Sequence, residues 1–305
     1  MKKLFIFVAL LVFIPFFIVL IYNKNYKEIN LNFVSNITIR VKRQNNNDIV
    51  SIPLEEYIVG VLAGEMPISF ELEALKAQAV ASRSYALARI EYNKDMDYDV
   101  VDTTVNQVYL DDEYLKKAWG KNYVKNINKL KTAVNYTIDE YLSYDGKVAD
   151  ALFFSTSNGY TEDSNNVFGF KCDYLKSVES PWDKDVSSAF NASKKMKLST
   201  FYNKLGLDYN KNLNVSIINR SKTNRILSLK VNGVKFSGID IYQKLGLRSL
   251  DFEFVLLGDE IEIKTVGYGH GVGMSQYGAL GMALEGFTYQ EILKYYYSGT
   301  EIKKI

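Results

Sequence analysis

The chain opens on a run that no small globular core can absorb. From Leu4 to Tyr22 every residue is apolar or aromatic, interrupted only by Pro15. At 1.5 Å per residue such a segment nearly crosses the ~30 Å hydrocarbon layer of a bilayer. Lys2 and Lys3 stand before it, which favours an inside N-terminus. A cleaved signal peptide needs a small-x-small site after the apolar run, and none follows. The run is therefore read as an uncleaved anchor. Residues 1–28 are then a cytoplasmic tip and transmembrane segment, and residues 29–305 a body outside the cytoplasmic membrane. No phosphate-binding loop is present, as suits a body away from ATP.

Of the 305 residues 47% are apolar, enough for a sizeable core. The net charge is +2, and Lys2, Lys3, Lys24 and Lys27 against Glu28 place +3 in the first 28 residues, leaving −1 for the body. A near-neutral body lacks the basic face that displaces counterions from nucleic acid. The single cysteine, Cys172, excludes an intrachain disulfide framework. With one histidine, His270, a structural zinc site of the Cys/His type is excluded too, since it needs four such ligands.

Asn36 to Val41 alternates apolar and polar residues, a turn cluster occupies Gln44 to Asp48, and Ile49 to Ile52 returns as the second strand of a hairpin. Glu71 to Tyr92 is rich in strong helix formers. Tyr98 to Leu110 reads as extended. Glu113 to Tyr136 reads as one helix, with Leu115, Trp119, Tyr123, Ile127, Leu130 and Val134 on one stripe. Leu142 to Phe154 is a second hairpin, turning at Asp145-Gly146. Beyond Lys194 strands dominate: Val215 to Val231, Phe252 to Leu257 and Ile261 to Val266, with a hairpin turn at Asn232-Gly233 and a short helix over Met196 to Leu205. A glycine-rich loop at Gly267 to Gly273 and two helical stretches close the chain. Hairpins and helices without regular βαβ alternation indicate an α+β fold. Residues 194–266 form a β-rich stretch, read either as a smaller inserted subdomain or as an insertion packed on a groove.

One carboxyl group stands out. If Leu54 to Gly64 is a helix, turning 100° per residue brings Leu54, Ile58, Val61 and Glu65 within about 60° of one another. Glu65 then continues an apolar stripe at a helix C-terminus, while Glu55 and Glu56 point away as solvated charges. Burial and the negative end of the helix dipole both raise its pKa. A glutamate at its ordinary pKa is protonated about once in 500 at pH 7, whereas one near pKa 6 is protonated roughly one time in ten, enough for a general acid. Pro67 disfavours helical geometry at Met66, so the chain turns sharply after Glu65. The plainer alternative is a helix that frays at Gly64 and leaves Glu65 in water.

The stretch LEEYIVGVLAGEMPISFELEALKAQAVASRSYA at 54–86 resembles the signature of the stage II sporulation protein D family, the SpoIID/LytB domain. FFSTSNGYTEDSNNVFG at 153–169, YLKSVESPWD at 174–183, LGLRSLDFEF at 245–254, GYGHGVGMSQYGALGMALEG at 267–286 and ILKYYYSGT at 292–300 fit the same pattern in the same order. The resemblance covers nearly everything from Asn36 onward. It implies a lytic transglycosylase of peptidoglycan that cuts between N-acetylmuramic acid and N-acetylglucosamine in strands stripped of stem peptides. It further implies action at the engulfing septum of an endospore former, beside a cell-wall amidase/endopeptidase and a multispanning membrane protein. In the family the catalytic glutamate sits in the Glu-Met-Pro triplet, here Glu65.

The short loop after Phe154 offers hydroxyls and backbone N–H groups at Ser155, Thr156, Ser157 and Gly159, which can hold sugar hydroxyls or developing charge. Such loops are also commonplace turns. Tyr160 is a candidate for stacking on sugar. His270, between glycines, is a candidate groove residue with Ser275 and Gln276 nearby, or else a structural hydrogen-bonder. Arg83 reads as a structural ion pair. Some family members carry zinc around an Asp-Thr-Thr segment; here it reads VVDTTVNQVYL, with Val105-Asn106 in the His-Cys place and Val101 upstream. No metal and no cofactor is expected: if zinc is a structural staple in those members, packing by Val101 and Val105 is expected to replace it, and if it assists substrate binding, that help is lost here. The rival within the same fold is a non-catalytic, glycan-binding modifier of a cell-wall amidase. A membrane-tethered scaffold is a third class.

Overall fold

Thr38–Lys42 (β1) and Ile49–Pro53 (β2) pair antiparallel, with Ile39 opposite Ile52 and Val41 opposite Val50. Val100–Val101 (β3) joins the other edge of β1 in parallel. Two helices follow the hairpin, Leu54–Glu65 (α1) and Leu72–Tyr92 (α2). The first half of α2 is buried on every side, from Ala74 to Ala86. Its alanines and serines let neighbours approach closely, and a helix buried all round belongs at the centre of a fold. The structure, a computed structural model, describes residues 27–32 and 36–305. The anchor read over Leu4 to Tyr22 lies outside those residues. Among the described residues no helix is long and apolar enough to cross a membrane.

The single helix expected over Glu113 to Tyr136 is two. Asp112–Trp119 (α3) and Tyr123–Tyr136 (α4) are separated by a tight turn at Gly120–Asn122. Gly120 adopts a φ of +49° with ψ −123°, a positive-φ conformation open to glycine that breaks the helix. Leu115, Tyr123, Ile127, Leu130 and Val134 nonetheless face the core as the periodicity required. Glu140–Tyr144 (β4) turns through Asp145-Gly146, both at positive φ, into Lys147–Val148 (β5). Phe153–Phe154 (β6) leaves that hairpin and pairs in parallel with Met274–Ser275, more than a hundred residues away in the chain.

The first core gathers around α2, which packs on α1, α4, β4 and the two C-terminal helices. A second core lies wholly within residues 198–263. Here Asn191–Lys197 (β7), Phe252–Leu257 (β11) and Glu260–Val266 (β12) form one antiparallel sheet, and Val215–Arg220 (β8), Ile226–Val231 (β9) and Val234–Ser237 (β10) another. Two short helices, Leu198–Leu205 and Gly238–Leu245, add Phe201, Leu205, Ile241 and Leu245 to this core. The mixture of helices with several small sheets is α+β.

Arg225 and Glu162, both fully buried, stand where the second core meets the first. Arg225 donates to the Tyr160 carbonyl at 2.9 Å and to Thr223 Oγ1 at 2.8 Å, with its guanidinium 3.8 Å from Glu162. Asn158 reaches across to the Thr223 carbonyl and to Asp251. Residues 27–32 run along α4. The Ile29 N–H donates to Asn128 and the Asn32 N–H to Asn135, while those amides donate back to the Lys27 and Asn30 carbonyls. Two turns of helix and three extended residues both span about 10 Å, which is why the registers match.

Candidate active site

Glu65 is the last residue of α1, and the chain turns into an extended Met66 with φ −120° and ψ 132° before Pro67. The corner is the one expected of a residue preceding proline. Gly60 and Gly64 are spaced one helical turn apart, and the segment Gln107 to Leu110 lies against them. A Cβ at Gly64 would overlap the Val108 carbonyl, and one at Gly60 would overlap the Tyr109 ring. This close approach lets the Val108 N–H donate to Glu65 Oε1 at 2.6 Å, while the Leu110 N–H bonds the Gly60 carbonyl at 3.2 Å.

The Glu65 carboxyl is half-buried. Burial raises its pKa, opposed by the Val108 N–H and then by the Gln276 side chain. Gln276 is buried beside it, yet its Nε2 has no partner at good hydrogen-bond geometry. A buried amide donor without an acceptor costs about 1–3 kcal/mol unless something else satisfies it. Near the carboxyl, Tyr57 and Tyr85 are held protonated, chiefly by burial and in part by the Glu65 charge.

The two flanking loops meet through backbone. The Thr156 N–H bonds the Tyr268 carbonyl at 2.9 Å and the Tyr268 N–H returns to Thr156 at 2.7 Å. The Tyr277 N–H donates to the Ser155 carbonyl at 3.0 Å, which sets Ser155 beside Gln276. Ser155 is partly exposed. Thr156, Ser157 and Ser275, expected to offer hydroxyls to a ligand, are buried with those hydroxyls spent on protein. Thr156 pairs with Ser187, Ser157 donates to the Ser180 carbonyl, and Ser275 donates to Asp183. Gly159 adopts a φ of +104°, and its N–H goes to Ser157 Oγ. Tyr160 is 45% exposed.

His270 is packed between Phe154 and Phe168, with ring centroids 5.7 and 5.4 Å away. Its Nδ1 accepts the Val272 N–H at 3.1 Å, so a neutral ring carries its proton on Nε2. Burial pulls its pKa down to about 4, with a bond to the Phe153 backbone opposing and the Arg225 charge adding to the shift. At neutral pH this ring is a neutral wall with one donor.

Asp183 is the residue the sequence did not advertise. Fully buried, it accepts the Ser157 N–H at 2.7 Å, the Ser180 hydroxyl at 2.6 Å and the Ser275 hydroxyl, so it ties the loop after Phe154 to the start of the helix Gln276–Leu284. Glu55 departs from its expected solvated position. It is buried and takes Arg83 in a fork, Nε to Oε1 at 2.8 Å and NH2 to Oε2 at 2.6 Å. Arg83 therefore braces α1 against α2 and does not touch Glu65. Nor does Val105 fill a staple's place, since it is 78% exposed. Asn106 closes that loop instead, accepting the Val101 N–H at 2.9 Å and donating to the Tyr85 hydroxyl at 2.9 Å. Among the described residues no three His, Cys, Asp or Glu side chains gather closely enough to hold a metal.

A family model described as a stage II sporulation protein matches residues 42–144, which include Glu65, Asn106 and Val108. The chain is 43% identical over 275 residues to stage II sporulation protein D of Bacillus subtilis (strain 168), covering 88% of this chain and 80% of that one. It is 42% identical to stage II sporulation protein D of Bacillus amyloliquefaciens over the same shares. A more distant relative, the amidase enhancer of Bacillus subtilis (strain 168), is 28% identical over 80% of this chain and 40% of its own length. With its helix corner at Glu65, its mixed α+β architecture and relatives this similar over most of their length, the chain belongs to the stage II sporulation protein D family.

Proposed function

We propose that this protein is a lytic transglycosylase acting on peptidoglycan strands without stem peptides, with Glu65 as its one acid and base. The observation that carries the reading is a half-buried carboxyl with a raised pKa, held by one firm backbone bond and a weaker approach of the Gln276 amide. Protonated Glu65 gives its proton to the glycosidic oxygen as the bond from muramoyl C1 breaks. The resulting carboxylate takes the proton of the muramoyl 6-hydroxyl, whose oxygen bonds to C1. The products are a 1,6-anhydromuramoyl end and a free 4-hydroxyl on N-acetylglucosamine, and Glu65 returns to its starting state. No water enters, so the second carboxylate of ordinary glycosidases is dispensable. Ser155 and Tyr160 keep exposed surface for the strand, with Gln276 buried against Glu65.

In this reading Leu4 to Tyr22 anchors the chain and the body works outside the cytoplasmic membrane, at the engulfing septum. Its companions there are an amidase/endopeptidase, which strips the strands, and a multispanning membrane protein. The distant likeness to an amidase enhancer keeps a second reading in play, in which the groove grips glycan without cutting it. The test uses residues 29–305, wild type and Glu65→Gln, incubated with amidase-treated glycan strands. Mass spectrometry showing 1,6-anhydromuramoyl ends from wild type alone supports catalysis. Strand binding by both proteins with cleavage by neither supports the amidase-modifier reading.

A further inference from the structure

Phe168 and Phe170 keep 44% and 47% of their surface open. They stack on each other, centroids 5.8 Å apart and planes 14° apart. Nothing about the pair is slack. Asp163 caps the short helix Ser164–Phe168, and Asn166 donates to Glu162 at 2.9 Å. Gly169 takes the left-handed conformation between the rings. The buried Ser164 hydroxyl donates to the Phe170 carbonyl at 3.0 Å and accepts the Cys172 N–H at 3.1 Å.

The pair is also continuous with the candidate active site. Phe168 meets His270, His270 meets Phe154, and Ser155 follows with its carbonyl on the Tyr277 N–H beside Gln276. An aromatic row, Phe154, His270 and Phe168, thus leads from the segment beside Gln276 to an exposed pair of rings. We infer that the Phe168–Phe170 pair is a sugar-stacking subsite that takes the apolar face of an N-acetylhexosamine some distance along the strand from the bond beside Glu65. This rests on the reading that a glycan strand lies in the groove. Aromatic faces carry negative partial charge, and the C–H bonds on a pyranose face carry the complementary positive one. The sugar's hydroxyls project around its rim and stay hydrated, so an uncharged platform can grip the ring without desolvating them. A docking surface for protein or lipid needs a wider apolar patch. Here exposed Asn165, Asn166, Lys171 and Asp173 border the rings at once.

The test measures binding of soluble, peptide-free glycan strands to the Glu65→Gln protein, where cleavage cannot interfere. Phe168→Ala and Phe170→Ala are each expected to weaken binding about tenfold, and the double variant more. Phe168→Tyr retains affinity, whereas Phe168→Leu, apolar but not aromatic, loses as much as the alanine variant. In the Glu65 protein the alanine variants raise KM and leave kcat near wild type. Phe168→Trp supplies a reporter whose emission shifts saturably with added strands, and it remains available if an alanine variant fails to fold. The inference is overturned if the folded double variant binds strands as its parent does, if leucine serves as well as phenylalanine, or if the indole emission of the Phe168→Trp variant ignores bound strands. Because the measurement needs no turnover, the platform can hold even where the transglycosylase reading fails, and the reverse.

Discussion

Two glutamates, Glu162 fully buried and Glu65 half-buried, are handled in opposite ways. At Glu162 burial works to raise the pKa, but hydrogen bonds from Ser221, Thr223, Asn166 and the Asp163 N–H outweigh it, and the pKa falls below the usual range. At Glu65 burial works in the same direction, and only the Val108 N–H and Gln276 oppose it, so the pKa stays raised. The number of donors aimed at a carboxyl, more than its depth, decides whether it is a permanent charge or an exchangeable proton. Glu162 holds two cores together as an anion. Glu65 is left poorly satisfied, as a group must be if it is to give its proton away and take it back.

Replacements at these two positions should therefore separate activity from stability. Glu65→Gln is expected to cut formation of anhydro ends by at least about 10²–10⁴-fold, with a denaturant midpoint at or above wild type. A carboxyl whose folded pKa is raised contributes stability that is fully present below its unfolded pKa and is lost as pH rises through the folded value. Glutamine does not titrate, so the variant loses this dependence and carries no charge at that buried position as pH rises. Glu162 runs the other way: its stabilisation is present above the unfolded pKa and lost as pH falls through the lower folded one. Breaking its clasp with Arg225→Ala leaves a buried carboxylate without its cation and should cost about 3–5 kcal/mol in urea unfolding. If the Glu65 variant proves the less stable of the two, the contrast is wrong.

Gly64→Ala sharpens the comparison by disturbing what little holds Glu65. Its methyl group would push the Val108 carbonyl away, at about 1–3 kcal/mol of stability, and carry the Val108 N–H off Oε1. Activity should fall by more than the loss of folded protein explains. In the neighbouring loop Asn106→Ala removes two bonds and should cost about 1–3 kcal/mol, while Val105→Ala on the exposed side stays within about 0.5 kcal/mol. Gln276→Ala takes away a group that holds the Glu65 pKa down. The alkaline limb of the pH–activity profile, where the acid loses its proton, should move to higher pH; a limb that moves down would assign the amide a different job.

The corner at Glu65 was legible in the sequence because its causes are local. Period 3.6 aligned Leu54, Ile58, Val61 and Glu65, and Pro67 fixed the turn. The hairpin at Asp145-Gly146 was legible for the same reason. What escaped depends on partners far along the chain. Thr156, Ser157 and Ser275 look like free hydroxyls until Asp183 and Ser187 arrive beneath them. Glu55 next to Glu56 looks like a solvated pair until Arg83 reaches it from α2. Gly120 was too weak a mark to split a strongly periodic helix on paper, though its φ of +49° does so in the structure.

The strap at residues 27–32 has a mechanical consequence. Its paired amide bonds to Asn128 and Asn135, with Lys131 on Glu28 between them, lie side by side along α4. Tension applied at Lys27 parallel to that helix loads the rungs together in shear, where they share it, and passes directly into the packed core. Tension perpendicular to the helix peels them one at a time, beginning at Lys27. The strap thus acts as a directional fastener, firm along one axis and easily unzipped across it.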